Sequence, residues 1–170
     1  MMANTRMADK QQGVALVVSL ILLLVMTLLG LSSMQATILE EKMAGNFKNR
    51  NMSLQAAESA LRAAESNLQV TAVLPAFDGS VLGLYQPTIS GVPIWDVITW
   101  SISEVIAYTG TLSDISASPA YIIEEMPIIS EAGSSLEVGV AGENRYYRIT
   151  TRAVGGTATA VVMLQSTYKR

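Results

Sequence analysis

The sequence contains no cysteine and no histidine. Without cysteine there is no disulfide framework and no thiolate metal ligand, and redox compartment cannot be read from thiol usage. Without histidine, Ser-His-Asp triads, Cys-His dyads and imidazole-ligated zinc or iron sites drop out together. Charge is scarce as well: only 15% of the 170 residues are Asp, Glu, Lys or Arg, and none falls between Lys10 and Glu40. The net charge of −3 comes without a basic patch, so the electrostatic footprint of a nucleic-acid binder is missing and no nucleic acid is expected as a partner. Proline is absent from residues 14–74, so nothing in that stretch forces a helix to break.

What is present is apolar and unevenly placed. Half the residues are apolar, with the excess concentrated in residues 14–39. The run from Val14 to Leu31 is interrupted only by Ser19, Thr27 and Gly30; as a helix it reaches about 27 Å. Continued through Ile38 it crosses a bilayer core of about 30 Å. The hydroxyls of Ser19 and Thr27 are tolerable there because they can bond back to a carbonyl one turn earlier. Arg6 and Lys10 precede the run and the acidic pair Glu40 and Glu41 follows it, an order that leaves the short N-terminus in the cytoplasm. A cleaved secretory signal shares the basic start and apolar centre. This run, however, exceeds the roughly 7–15 residues of such signals, and no A-x-A site follows it.

Beyond Glu40, Phe47, Leu54, Leu61 and Leu68 recur every seven residues, with Ala57 and Ala64 between them. This spacing predicts an amphipathic helix whose apolar stripe faces a core, with Glu58 and Arg62 paired on the exposed side. One helix of about 55 residues, roughly 80 Å, accounts for residues 14–68, with Gly30 and Gly45 as its soft points. Leu74-Pro75 and Phe77-Asp-Gly79 end it with turn chemistry. The residues up to Ser118 read as a long irregular connection holding a short helix near Ser103 to Ala107. Two readings stand for Trp95 and Trp100 within it: a recognition patch, or anchors that fasten the connection to the domain. Strand signals follow. Tyr121 to Met126 stops before Pro127, and Arg145 to Ala153 alternates Tyr147, Ile149 and Thr151 against Tyr146, Arg148, Thr150 and Arg152. Val154 to Thr157 supplies a hairpin turn, and Ala158 to Tyr168 returns with Ala160, Val162 and Leu164 toward the buried face. The implied architecture is α+β: a long N-terminal transmembrane and amphipathic helix packed on a C-terminal antiparallel sheet, enough for one domain plus an anchor.

Reactive constellations are sparse. Glu124 and Glu125 are neighbours in a predicted strand and point to opposite faces, so they cannot act as a carboxylate pair. Glu40 and Glu41 read as solvated. Gly155-Gly156 fits no phosphate loop, and Asp78-Gly79 lacks the further carboxylates of a cation loop. No catalytic residue, cofactor or metal is expected, and the chain does not read as an enzyme.

The block Lys10-Gln-Gln-Gly13-Val14, a short basic leader ending in Gly ahead of a long apolar helix, resembles the processing signal of type IV prepilins and pseudopilins. The continuation Gly13-Val-Ala-Leu-Val-Val, then Lys42-Met-Ala-Gly-Asn46, Gln55-Ala-Ala-Glu58 and Ala60-Leu61-Arg62, resembles the PilX-type minor pilins. Tyr147-Arg-Ile-Thr150 and Gln165-Ser-Thr-Tyr168 are similar to that family's C-terminal strands. The resemblance is dense over residues 13–68 and 121–168 and weak over 70–120. It implies cleavage after Gly13 by a membrane aspartyl prepilin peptidase and methylation of the new terminus at Val14. Absence of a Cβ at Gly13 would let the protease approach the backbone. The chain then divides into a leader at 1–13, a transmembrane part at 14–39, an amphipathic part at 40–74, and the connection and sheet at 75–170.

One departure from the family pattern is informative. The fifth mature residue, usually Glu in major pilins, is Val18 here. It reads either as an apolar residue tolerated in an apolar helix or as the mark of a subunit that starts a filament. The resemblance implies a structural minor pilin that helps initiate the type IV pilus and sits in its tip complex. Its partners would be other minor pilins, the major pilin and a tip adhesin, and it would wait in the inner membrane before assembly. A minor pseudopilin of type II secretion shares the N-terminal physics but usually carries a much larger tip domain. A membrane-tethered sensor or enzyme is the remaining class.

Overall fold

The computed structural model describes residues 12–87, 91–127 and 145–170. The leader residues 1–11, with Arg6 and Lys10, lie outside the described residues. The chain forms two compact units, Met1–Gly45 and Asn46–Arg170, and helix α1, Gln12–Val70, contributes to both.

In the first unit the described chain is all helix. Its best stretch has a mean hydropathy of 3.0, and the helix is long and apolar enough to cross a membrane. The aliphatic side chains from Val14 to Leu39 stand exposed, as expected of residues whose solvent is lipid rather than a protein core. Ser19 Oγ donates to the Leu16 carbonyl and Thr27 Oγ1 to that of Leu24, each at 2.8 Å. Both hydroxyls thus bond back along the helix as anticipated, so neither of the two faces hydrocarbon unpaired.

The second unit packs the rest of α1 on a five-stranded sheet. Three long strands, β3 (Ala117–Glu125), β4 (Tyr146–Val154) and β5 (Val161–Lys169), pair antiparallel in sequence order. Two short strands share the outer edge of β3. β2 (Ile106–Ala107) pairs antiparallel with Tyr121 and Ala120, while β1 (Leu84–Tyr85) pairs parallel with Ile123 and Glu124. The α+β class stands, with one parallel strand that alternation could not reveal, because two residues carry no period.

Two corrections concern the connection. The short helix is α2, Ile94–Val97, rather than a segment near Ser103 to Ala107, where β2 forms instead. Ile106 and Ala107 are drawn into extended form by the open edge of β3, and pairing there outweighs local propensity. Helix α1 ends at Val70, before the expected Leu74-Pro75 stop. Val70, Thr71 and Val73 are β-branched and poor helix formers, and Arg170 Nη2 donates to the carbonyls of Thr71 and Ala72 at 2.7 and 3.3 Å, satisfying acceptors at that end.

The sheet is covered on both faces. On one side Ala60, Ala64 and Leu68 of α1 meet Phe77, Leu84, Tyr121, Ile123, Tyr147 and Ile149. Ala56 and Ala57 meet Ala153, with Val162 and Leu164 alongside. On the other side Ile94 and Val105 of the connection pack on Ile122, with Trp95 and Trp100 partly buried against them. Trp100 Nε1 donates to the Trp95 carbonyl at 3.1 Å. The tryptophans therefore anchor the connection to the sheet.

Candidate assembly surfaces

The helix face turned to the sheet is made of small residues. Ser53, Ala56, Ala57, Ala60 and Ala64 are 2% exposed or less, and Leu68 closes the row at 1%. Short side chains let the sheet approach the helix backbone, and the approach is close at Gly155, where a Cβ would run into the Asn49 carbonyl oxygen. Ser53 Oγ donates to the Ala153 carbonyl at 2.9 Å in the buried interface. Two further bonds, Asn67 Nδ2 to the Tyr121 hydroxyl at 2.6 Å and Ser166 Oγ to Glu65 Oε1 at 3.1 Å, fasten the same seam.

The stripe expected at Phe47, Leu54, Leu61 and Leu68 is only partly at this seam. Leu68 is buried and Leu61 packs at its margin. Leu54 is 37% exposed, and Phe47, at 74%, stands clear of the sheet. The reason is geometric. A seven-residue repeat drifts by about 20° per heptad on a straight helix of 3.6 residues per turn, so over three heptads the stripe rotates away from a flat partner. Leu54 and Phe47, with Arg50 and Asn51, instead border an open groove of about 500 Å³ whose other wall is Val162, Met163 and Leu164 of β5.

At the N-terminal end of α1, Val14 and Val18 are 66% and 49% exposed. Among the described residues, a Cβ at Gly13 would meet nothing within 4 Å, so their packing places no demand for glycine at that position.

The loop-covered face of the sheet holds an ionisable pair that sequence reasoning missed. Glu124 is 1% exposed, lies opposite Arg148 in the β3–β4 register and faces its Nη1 at 3.9 Å. Burial pushes the Glu124 carboxyl above the ordinary carboxylate range, and the Arg148 guanidinium opposes that shift in part. Among the described residues its Oε2 has no hydrogen-bond partner. Glu125, on the other face of the strand, pairs with Arg145 at 3.3 Å. Burial, with the Glu104 charge adding to it, also raises the Tyr85 hydroxyl, which donates to the Glu104 carbonyl at 2.7 Å. A cross-strand Glu and Arg in matching register was the available signal, but the register had to be known first. Glu40 and Glu41 are exposed, as read from the sequence. At Asp78 the carboxylate accepts the Ser80 amide at 2.9 Å, which closes a turn, and hydrogen bonding from the Ser80 side chain first, then from its amide, holds the Asp78 carboxyl below its ordinary value.

Comparison with known proteins bears on the whole chain. The family described as PilX N-terminal matches residues 12–62, and the one described as type IV pilus assembly protein PilX C-term matches residues 43–170. No curated protein and no solved structure matches. A long apolar helix, an α+β domain built on its continuation, and family matches that together run from residue 12 to residue 170 lead to one assignment: the chain belongs to the PilX family, the minor pilins of the type IV pilus.

Proposed function

We propose that this pilin acts at the start of pilus assembly and remains near the filament tip. In this reading it waits in the inner membrane as a single-pass protein with its N-terminus in the cytoplasm. The prepilin peptidase then cuts after Gly13, and the new amine at Val14 is methylated. The space left around Gly13 by the described residues supports a requirement external to the fold, since a helical glycine costs up to about 1 kcal/mol and gains nothing in packing against them.

The observation that carries the proposal is Val18 on the exposed apolar helix. A subunit entering a filament brings its terminal amine into apolar surroundings, where an unpaired charge costs several kcal/mol and a neighbour's carboxylate offsets much of that. This chain keeps the amine and lacks the carboxylate. It can accept a Glu from the next subunit below without offering one to a subunit above, which suits a terminal position. Its direct partners are then other minor pilins and the major pilin, with an adhesin above it at the tip.

Mass spectrometry of sheared filaments tests the first part: the expected terminus is methylated Val14, and Gly13→Leu should abolish it. Immunogold labelling and filament counts test the second, with label at one end and deletion lowering filament number far more than length. Val18→Glu should impair initiation, because the added carboxylate has no amine above it. Label spread along the shaft together with full activity of Val18→Glu would refute the tip assignment.

A further inference from the structure

On the sheet face away from α1, the fold leaves a recess of about 260 Å³ between the connection and the strands. Its floor is cut from small residues. Ala107 of β2, Ala120 of β3 and Arg152 of β4 are successive register partners, so they form one row across the sheet. Ala117, on the far side of the register shift that separates it from Ala120, lines the same recess. Irregularities of this kind recur beside binding sites because they re-aim neighbouring side chains. One wall is Trp100, whose ring is held in place by the Nε1 bond to the Trp95 carbonyl and by packing on Ile94, Val105 and Ile122. The site is thus preformed: an apolar slot with a fixed aromatic wall.

Among the described residues, its one charged lining residue is Arg152. Arg62, Arg145 and Arg148 each face a carboxylate, and Arg170 holds two carbonyls. Among the described residues the Arg152 guanidinium has neither an ion pair nor a hydrogen bond. A half-buried guanidinium beside apolar walls presents a rigid fork that matches a carboxylate with two parallel hydrogen bonds. The recess is smaller than the roughly 300–1,000 Å³ typical of sites for drug-sized ligands, which limits the occupant to about one residue. Within that volume an apolar group must reach the Trp100 wall while a carboxylate reaches Arg152. A C-terminal residue meets both demands, because its side chain and its free carboxylate leave the same Cα.

We propose that this recess captures the C-terminal residue of a partner polypeptide, one with an apolar or aromatic side chain, through Arg152 and Trp100. The surface lies opposite the α1 seam, and the inference does not depend on where in the filament the subunit sits.

The test uses full-length protein in a non-ionic detergent carrying Trp95→Phe, which leaves Trp100 as the sole tryptophan of the two in the chain. Its fluorescence is titrated with acetyl-Gly-Phe, which has a free α-carboxylate, with acetyl-Gly-phenylalaninamide, which has none, and with the C-terminal amide of acetyl-Phe-Asp, whose only carboxylate is on a side chain. The free acid should give a saturable change with Kd below about 1 mM, and both amides should bind at least about tenfold more weakly. Arg152→Met should reduce the free acid to the level of its amide, and Ala120→Leu, which fills the slot and keeps the charge, should abolish the response. The three peptides on the otherwise unaltered site already decide the matter, so a variant that fails to fold leaves no gap. A flat titration with the free acid to about 10 mM, equal binding of acid and amide, tighter binding of the side-chain acid, or binding unchanged by Arg152→Met or Ala120→Leu each overturns the proposal.

Discussion

Leu68 and Phe47 belong to the same seven-residue stripe, yet the fold uses them oppositely, and paired truncations measure the difference. Leu68 is 1% exposed and packs with Ala64, Tyr121 and Tyr147 in the largest core cluster, whereas Phe47 is 74% exposed. Leu68→Ala removes buried methylene and methyl groups worth about 0.8 kcal/mol each and leaves a cavity that the rigid helix–sheet seam closes only in part, for a loss of about 3 kcal/mol. Phe47→Ala removes a larger side chain, but one already in solvent within the subunit, so its cost should stay within about 0.5 kcal/mol. In detergent, urea unfolding followed by fluorescence of the half-buried tryptophans reads both. With a slope of about 2 kcal/mol per molar, Leu68→Ala should lower the midpoint by about 1.5 M and Phe47→Ala by no more than about 0.25 M. Equal shifts for the two variants would refute the placement of the stripe, and so would a Leu68→Ala shift as small as the one expected for Phe47→Ala. Because Phe47 borders the open groove against β5, its truncation should register in pilus number instead.

Three further outcomes are expected. Gly155→Ala drives a methyl group into the Asn49 carbonyl and should cost about 1–3 kcal/mol, read as a lower urea midpoint; an unchanged midpoint would show that the β4–β5 turn does not abut the helix. Leu61→Asp places a carboxylate at the margin of the core, where it can still reach water, so the loss should be about 1–3 kcal/mol rather than complete unfolding, and a wild-type midpoint would remove Leu61 from the seam. The Glu124 carboxyl is raised in the folded state by burial, against an ordinary value of 4.5. Its stabilising contribution is therefore present while it is protonated, below that ordinary value, and is lost as pH rises through the higher folded value. Glu124→Gln should remove this component, so between pH 4.5 and 7 the wild-type midpoint falls relative to that of the variant; parallel pH profiles would contradict the burial of Glu124.

Whatever depended on one-dimensional pattern was legible without coordinates. The uncharged run from Val14 to Leu39 specifies a lipid-compatible helix because hydrocarbon accepts no unpaired polar group. Period-two alternation in Tyr146 to Val154 marks a strand because successive side chains leave opposite faces of a sheet. The family was legible in short blocks around Gly13, Lys42 to Asn46 and Tyr147 to Thr150. The partners of those elements were decided only in three dimensions. A heptad count could not say that alanines and Ser53, rather than Phe47 and Leu54, face the sheet, because the contact follows the 3.6-residue turn and the close approach at Gly155. Two-residue strands such as β1 and β2 exist only because β3 offers an open edge, so their residues carry no signal of their own. The meeting of Glu124 with Arg148, and of Ala120 with Arg152, depends on register. Register is a relation between distant segments, and a reading along the chain, one segment at a time, does not contain it.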